Sequence, residues 1–391
     1  MYRIHLKKGR ERPVMGGHPW IFSGAIEKTE ESPDNNPVVD VLDYQGRWLA
    51  RGLYNPKSQI RVRLLTWEQE AIDAAFFSRR IAAAWSLRAR LVSPSTNACR
   101  VVNGEGDLLP GVIVDRYADY FLCQFFTAGI DALKSVFLQA LAAELKPKGI
   151  YERSEGGVRD EEGLAPSVGL VYGEEPPELI EIEEHGNRFL VDIRGGQKTG
   201  FFLDQRDNRA LMAALAPGMT VFNCFAYTGG FSVYALKAGA ERVISLDSSS
   251  PALDLAKRNL RLNGQEAHDG DFIRADAFSF LKNFSDKVDI LVLDPPSLAH
   301  RRGDVEAAAG GYKFLNLHGL KILPRGGLLL TFCCSQHVTT DLFQKIVFGA
   351  AVDARRKVQI LKRLGPAPDH PVSLHQPEGE YLKGLLLRVL E

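Results

Sequence analysis

The chain has 391 residues, 45% hydrophobic and 25% charged, and its 48 basic and 48 acidic side chains cancel to a formal net charge of zero. That composition excludes a fibre or a disordered chain, and the cancelled charge leaves only local clusters to argue for a polyanionic partner. Tyr2 to Arg12 carries five basic residues where a secretory signal needs an apolar core, and no run reaches the length of a membrane span, so a cytoplasmic protein with no membrane partner is expected.

A chain this long exceeds what one hydrophobic core supports, so two or three domains are expected. Residues 1–70 hold short β-rich segments, Val38–Leu42 and Ile60–Thr66 among them, broken by the turn pairs Gln45-Gly46 and Asn55-Pro56. The spacing of Ile72, Ala75, Phe76, Ile81 and Trp85 predicts a helix over 71–91, which opens a central α+β domain, 71–178. In that domain strands are expected at 111–115 and 120–126 and an amphipathic helix at 132–145. The Gly-, Pro- and Glu-rich stretch 156–177 reads as a surface loop or linker. From 179 to 391 the rhythm becomes apolar strand, turn, amphipathic helix, with strands at 220–225, Arg242–Asp247, Phe272–Arg274, 289–293 and 327–332. This alternation predicts an α/β domain, a doubly wound and mostly parallel sheet of Rossmann-like form with helices on both faces. The last two strands, 358–363 and 384–390, lack an intervening helix and suit an antiparallel edge pair. The five cysteines are odd in number and have no paired CxxC spacing, so neither a disulfide framework nor a metal site is expected.

In open parallel sheets ligands bind at the carboxyl ends of the strands. The first strand of the last domain runs into Phe225-Ala226-Tyr227-Thr228-Gly229-Gly230, and the next ends in Asp247, eighteen residues after Gly229. A glycine turn followed by an acidic strand end is the arrangement that grips ribose hydroxyls, although glycine turns also occur for geometric reasons alone. The spacing is not the GxGxxG that seats a pyrophosphate, so a nucleoside cofactor of the S-adenosylmethionine kind fits better than a nicotinamide or flavin. Asp276, ending the third strand, suits an adenine amino group or a plain turn. Ser250-Pro251 reads as N-cap and first turn of the following helix, which Asn263-Gly264 closes.

The fourth strand ends in Asp294-Pro295-Pro296-Ser297, and tandem prolines force the chain out of the sheet, aiming Asp294 into the site. The fifth runs into Cys333-Cys334-Ser335. Buried cysteines often act as small hydrophobes. At a strand's carboxyl end beside Asp294, however, a thiolate can add to carbon 6 of a pyrimidine and so activate carbon 5 toward methyl transfer.

These residues resemble the bacterial 23S ribosomal RNA cytosine-C5 methyltransferases that carry an N-terminal PUA domain, the large-subunit methyltransferase I type. The resemblance runs over essentially the whole chain, through Lys8-Gly-Arg10, His18-Pro-Trp20, Leu109-Pro-Gly111, Glu183-Glu-His185 and Gly195-Gly-Gln-Lys-Thr-Gly200. It continues through Leu203-Asp-Gln-Arg206, Asn223-Cys-Phe, Tyr227-Thr-Gly-Gly230, Asp294-Pro-Pro296, Gly311-Tyr-Lys313, Cys334-Ser335, Asp369-His-Pro371 and Tyr381-Leu-Lys-Gly384. It implies that residues 1–70 are an RNA-binding PUA-like domain and 179–391 a class I methyltransferase domain using S-adenosylmethionine. It also implies a cofactor site of Lys198, Thr199, Asp204, Arg206, Asn223, Phe225, Tyr227, Gly229, Asp247, Asp276 and Asp294, with Arg206 facing the methionine carboxylate. Cys334, followed by Ser335, takes the part of nucleophile ahead of Cys333. The chain departs from the family pattern at Ser297, where relatives tend to have Lys, and at Cys333, where they tend to have a small residue.

Lys7, Lys8 and Arg10, with His18 and Trp20, form a candidate RNA face, to which Arg47, Arg51, Arg61 and Arg63 near Trp48 and Tyr54 add charge. The leading expectation is therefore methylation of carbon 5 of a cytosine in 23S rRNA, naked or in a large-subunit precursor particle, with Cys334 and Asp294 as the catalytic pair. A homodimer is left open. The alternatives are exocyclic-amine methylation of an rRNA purine through the Asp-Pro-Pro turn, and a noncatalytic RNA-binding assembly factor.

Overall fold

A computed structural model describes residues 2–30, 37–299 and 301–391. The chain groups into two compact units, one of residues 1–182, 191–201 and 368–379, the other of residues 183–190, 202–367 and 380–391.

The first unit holds two sheets. Tyr2–Leu6, Trp20–Phe22, Ile26–Glu30, Val38–Leu42, Trp48–Tyr54 and Ile60–Thr66 form a six-stranded sheet around Ile4, Leu6, Ile21, Val39, Val41 and Val62. The following helix, Ala74–Leu91, starts later than its periodicity suggests, because the Asp73 carboxylate accepts the Phe76 amide at 2.9 Å and caps it there. A five-stranded sheet follows, with Ser167–Gly173, Gly149–Ser154, Tyr120–Phe125, Val112–Tyr117 and Ala98–Asn103 in that spatial order.

Two expectations are corrected in this unit. The stretch 156–177 is no linker: it supplies the helix Gly157–Glu162 and the edge strand Ser167–Gly173, antiparallel to Gly149–Ser154. Its pattern is faint because it is an edge strand, with Val168, Leu170 and Tyr172 exposed. The helix expected over 132–145 is broken at Leu133 into Ala128–Ala132 and Lys134–Leu145. Segment 368–379 joins this unit through Arg88, whose buried guanidinium donates to both Asp107 oxygens and to the Asp369 carbonyl, while Asp369 Oδ2 accepts the Arg100 amide at 3.0 Å.

The second unit is built on a seven-stranded sheet: β1 (Thr220–Cys224), β2 (Arg242–Asp247), β3 (Phe272–Arg274), β4 (Ile290–Leu293), β5 (Leu328–Cys333), β6 (Val358–Leu364) and β7 (Lys383–Val389), in the order β3-β2-β1-β4-β5-β7-β6. The first five are parallel, and β7 is antiparallel to both neighbours. The expected edge pair therefore resolves into one edge, since β7, buried on both faces, lies inside and only β6 is marginal. Helices α1 (Arg206–Leu215), α2 (Gly230–Lys237), α3 (Ser250–Leu262), α4 (Ala277–Asn283), α5 (Val305–Ile322) and α6 (Thr340–Asp353) connect and flank the strands.

Helix α5 lies so close on β4 that a Cβ at Gly319 would meet Leu291 Cδ2 at 2.7 Å. The N-cap of α3 is Ser249, which accepts the Ala252 amide, so Ser250 and Pro251 lie in the first turn, one position later than read from the sequence. Among the described residues no helix is long and apolar enough to cross a membrane.

Candidate functional site

The carboxyl ends of β1, β2, β4 and β5 carry most of the singled-out residues of the second unit. After β1 the backbone turns through three left-handed conformations, Phe225 (φ 61°), Tyr227 (φ 47°) and Gly229 (φ 80°). Left-handed non-glycine residues cost on the order of 1–2 kcal/mol each, so the turn must be held from outside. Asp247 does this: its Oδ2 accepts the Tyr227 amide and its Oδ1 the Ser249 amide, both at 2.9 Å, while Ala226 donates to the Leu246 carbonyl. An ionised carboxylate has about four acceptor positions, so after these two bonds Asp247 retains one on each oxygen.

Gly229 serves helix packing, since a Cβ there would lie 2.9 Å from Ala256 Cβ of α3. Asn223 is buried, donates to Ser232 Oγ at 2.9 Å, and shares with Ser245 a polar cluster beneath α2. Its Oδ1, like Thr228 Oγ1 in the same turn, is buried without a hydrogen-bond partner in the protein. Asp276 caps α4, its Oδ1 accepting the Ser279 amide at 2.9 Å, and with Ala275, Ser279 and Phe280 it lines a pocket of about 400 Å³. The Ala275 amide bonds the Asp247 carbonyl, which brings the ends of β2 and β3 together.

The segment before β1 is organised by a cluster the sequence did not reveal. Arg209 on α1 forms a two-pronged pair with the fully buried Glu184, at 2.8 and 2.7 Å, and donates to the Phe202 carbonyl. The Tyr234 hydroxyl, donating to Glu184 at 3.0 Å, ties in α2. Asp204 Oδ2 accepts the Tyr381 hydroxyl at 2.5 Å. Arg206 is 1% exposed, its Nε 3.5 Å from Asp207. Lys198 and Thr199 belong to the first unit, where Thr199 is buried and its hydroxyl shares a 3.0 Å hydrogen bond with Tyr117.

The ends of β4 and β5 are laced together. Cys333 is fully buried in the core, whereas Cys334 is half-buried and its Sγ donates to the Pro295 carbonyl at 3.7 Å, beside Asp294. Ser335 is the hub: its Oγ accepts the amides of Leu298 and Ala299, at 3.0 and 3.1 Å, and shares hydrogen bonds with Ser297 Oγ and with Tyr312 of α5. Ser297 is thereby committed to its own loop. Burial, and then the neighbouring Cys333, push the Tyr312 phenol upward from its ordinary pKa, so it stays protonated. Ser335, Tyr312 and Lys383 lie within the motifs Cys334-Ser335, Gly311-Tyr-Lys313 and Tyr381-Leu-Lys-Gly384, but no local pattern marks their roles.

In the first unit Lys7, Lys8 and Arg10 are exposed. His18 meets Trp20 edge-on at 6.0 Å, and the Trp20 indole N–H donates to Glu105 at 2.8 Å. The added arginines divide. Arg51 pairs with Asp40 and Arg63 with the buried Glu162, each at 2.8 Å, so these two are internal ion pairs, contrary to their reading as surface charge. Arg47 pairs with Asp43 at 2.7 Å.

Residues 4–67 match a PUA-like domain and residues 165–388 match S-adenosylmethionine-dependent methyltransferases. Over 393 aligned residues the chain is 46% identical to ribosomal RNA large subunit methyltransferase I of Tolumonas auensis, covering 99% of both chains. It is 44% identical to the protein of that name from Klebsiella pneumoniae strain 342, covering 99% of this chain and 98% of that one. Among solved structures, a SAM-dependent methyltransferase from Streptococcus mutans matches with a TM-score of 0.84 at 23% identity. A methyltransferase complexed with S-adenosylhomocysteine matches at 0.86 and 24%, both covering 100% of each chain. At such identities these two likenesses speak to the fold alone.

Proposed function

The chain belongs to the ribosomal RNA large subunit methyltransferase I family of S-adenosylmethionine-dependent methyltransferases, and from that premise we propose that it methylates carbon 5 of a cytosine in 23S rRNA through an adduct at Cys334. S-adenosylmethionine, the cofactor, supplies an electrophilic methyl group when bound. The donor set fits it. The spare acceptor positions of Asp247 suit ribose hydroxyls, and the orphaned Asn223 Oδ1 and Thr228 Oγ1 leave polar capacity unmet in the adjoining turn. In this reading Phe225, Tyr227 and Gly229 shape the nucleoside side, Asp276 takes the adenine edge, and Asp204, Arg206 and Asp294 serve the methionine side.

The observation that carries the proposal is the division between the two adjacent cysteines. Only Cys334 keeps exposure, and its thiol sits against the Asp294-Pro-Pro turn. Carbon 5 of cytosine is a weak nucleophile. The Cys334 thiolate adds to carbon 6, carbon 5 then takes the methyl group, a base removes the carbon 5 proton, and the carbon–sulfur bond breaks to return the thiolate. Asp294 hydrogen-bonds the cytosine edge and keeps the ring over the sulfur. Amine methylation through the same turn is less well supported, because the position after the prolines is Ser297, bonded to Ser335, where an aromatic ring would be needed to stack on the base.

We read residues 1–70 as the RNA-binding domain, 71–178 as the central domain and 179–391 as the catalytic domain, with Lys7, Lys8, Arg10, His18 and Trp20 meeting the RNA. The direct test is incubation with tritiated cofactor and naked 23S rRNA, followed by digestion to nucleosides. Label in 5-methylcytidine is expected. Label in a methylated purine overturns the proposal in favour of amine methylation.

A further inference from the structure

We propose that Lys383 is a positioning residue for this reaction: its buried ammonium pins the turn that carries Cys334 and favours the thiolate form of that cysteine. The inference rests on Cys334 being the attacking group. Lys383 opens β7 and lies directly opposite Cys333 in the antiparallel ladder with β5. Its side chain, 3% exposed, crosses to the turn after β5 and donates to the carbonyls of Ser335 at 2.9 Å and Val338 at 2.8 Å. Those bonds run to backbone dipoles rather than to a carboxylate, so most of the positive charge is left to act on its surroundings.

A lysine rarely enters a protein interior, because the charged form loses its hydration there. Burial accordingly lowers the pKa of Lys383, while Cys333, Glu380 and Cys334 act in the opposite direction. Coulombic interaction between two ionising groups is mutual: whatever a thiolate does to hold the proton on Lys383, the ammonium does to drive the proton off the thiol. A carboxylate at Asp294, beside Cys334, opposes that effect, and the other groups around the pair leave it standing. Tyr312, from α5, is kept neutral by its own burial. Glu380 is exposed and bonded to Thr340, where solvent screens it. Cys333 is closed off in the core. Only Cys334 combines a nearby buried cation with access.

A purely structural lysine would hold the turn without changing thiol acidity, so the test reads acidity. Iodoacetamide alkylation of Cys334 in the full-length protein is followed by site-resolved mass spectrometry across about pH 5 to 10. The alkylation midpoint is expected below that of a free thiol, about 8.5, and a midpoint at or above it overturns the proposal even with no variant made. In Lys383→Met the midpoint should rise by about one unit, slowing alkylation near neutral pH roughly tenfold, whereas Lys383→Arg, which keeps the charge, should stay close to the parent. An unchanged midpoint in Lys383→Met overturns the proposal. Because alkylation needs no RNA, failure of the nucleophile reading shows separately, as methyl transfer that survives Cys334→Ser.

Discussion

The end of a strand separates Cys333 from Cys334. Cys333 is the last residue of β5 and is closed in the core, whereas Cys334 lies in the turn beyond it and keeps partial exposure. Cys334→Ser is expected to abolish methyl transfer, by on the order of a thousandfold or more, as loss of a nucleophile does. Cys333→Ala should retain transfer to within about tenfold while losing roughly 1 kcal/mol of stability to a small cavity. Tritium incorporation into rRNA measures the first effect and denaturant unfolding the second. Ser335 invites a sharper test. In Ser335→Ala the Leu298 and Ala299 amides lose their acceptor, and each buried unsatisfied donor costs about 1–3 kcal/mol. The melting temperature should fall by roughly 5–10 °C and activity with it, whereas Ser335→Thr keeps the acceptor and should lie between.

Elements show where local pattern suffices and where it does not. The parallel strands β1, β2, β4 and β5 are legible because burial on both faces demands unbroken apolar runs, and the Gly turn and Asp247 are legible because spacing sets both. Helix starts are less so, since a single cap such as Asp73 or Ser249 decides them against the periodicity. The tight packing of α2 on α3 predicts that Gly229→Ala, strained at φ 80° and crowded by Ala256, costs about 1–3 kcal/mol. It should also weaken S-adenosylhomocysteine binding measurably by calorimetry. The helix Gly157–Glu162, hidden in a stretch that reads as linker, ends on a residue with pH-dependent consequences. Burial raises the Glu162 pKa, but the Arg63 guanidinium and hydrogen bonds from Ser58, Asn55 and the Ala128 amide outweigh it, leaving the carboxyl more acidic than in the unfolded chain. Its stabilising contribution is thus complete above the ordinary carboxylate pKa of about 4.3 and is lost as pH falls through the lower folded value. Urea unfolding of Glu162→Gln should show a shallower loss of stability over that acidic range than the parent. An equal slope would assign acid sensitivity to other carboxylates.

At the scale of the whole molecule, the zero net charge means that RNA affinity has to come from a local cluster. Replacing Lys7, Lys8 and Arg10 together by Ala should therefore lower the salt dependence of rRNA binding, with the slope of log affinity against log salt shrinking by about 2, given roughly 0.7 per phosphate contact on single strands. Replacing Arg51 should leave that slope nearly unchanged, because its charge is already spent on Asp40. Filter binding over a salt series distinguishes the two.

The amino-acid order by itself determined the doubly wound sheet, the cofactor type and the placing of Asp294 and Cys334 just past two strand ends, because strand periodicity and turn residues act over a few neighbouring positions. Only the tertiary structure decided that Arg51 and Arg63 are neutralised, that 368–379 joins the first unit, that β7 runs inside the sheet, and that Ser335 and Lys383 hold the turn that carries Cys334. These depend on partners from 11 to 281 positions away. Such pairings leave no local period in a sequence, since what selects them is the cost of burying an unpaired polar group once the chain has folded.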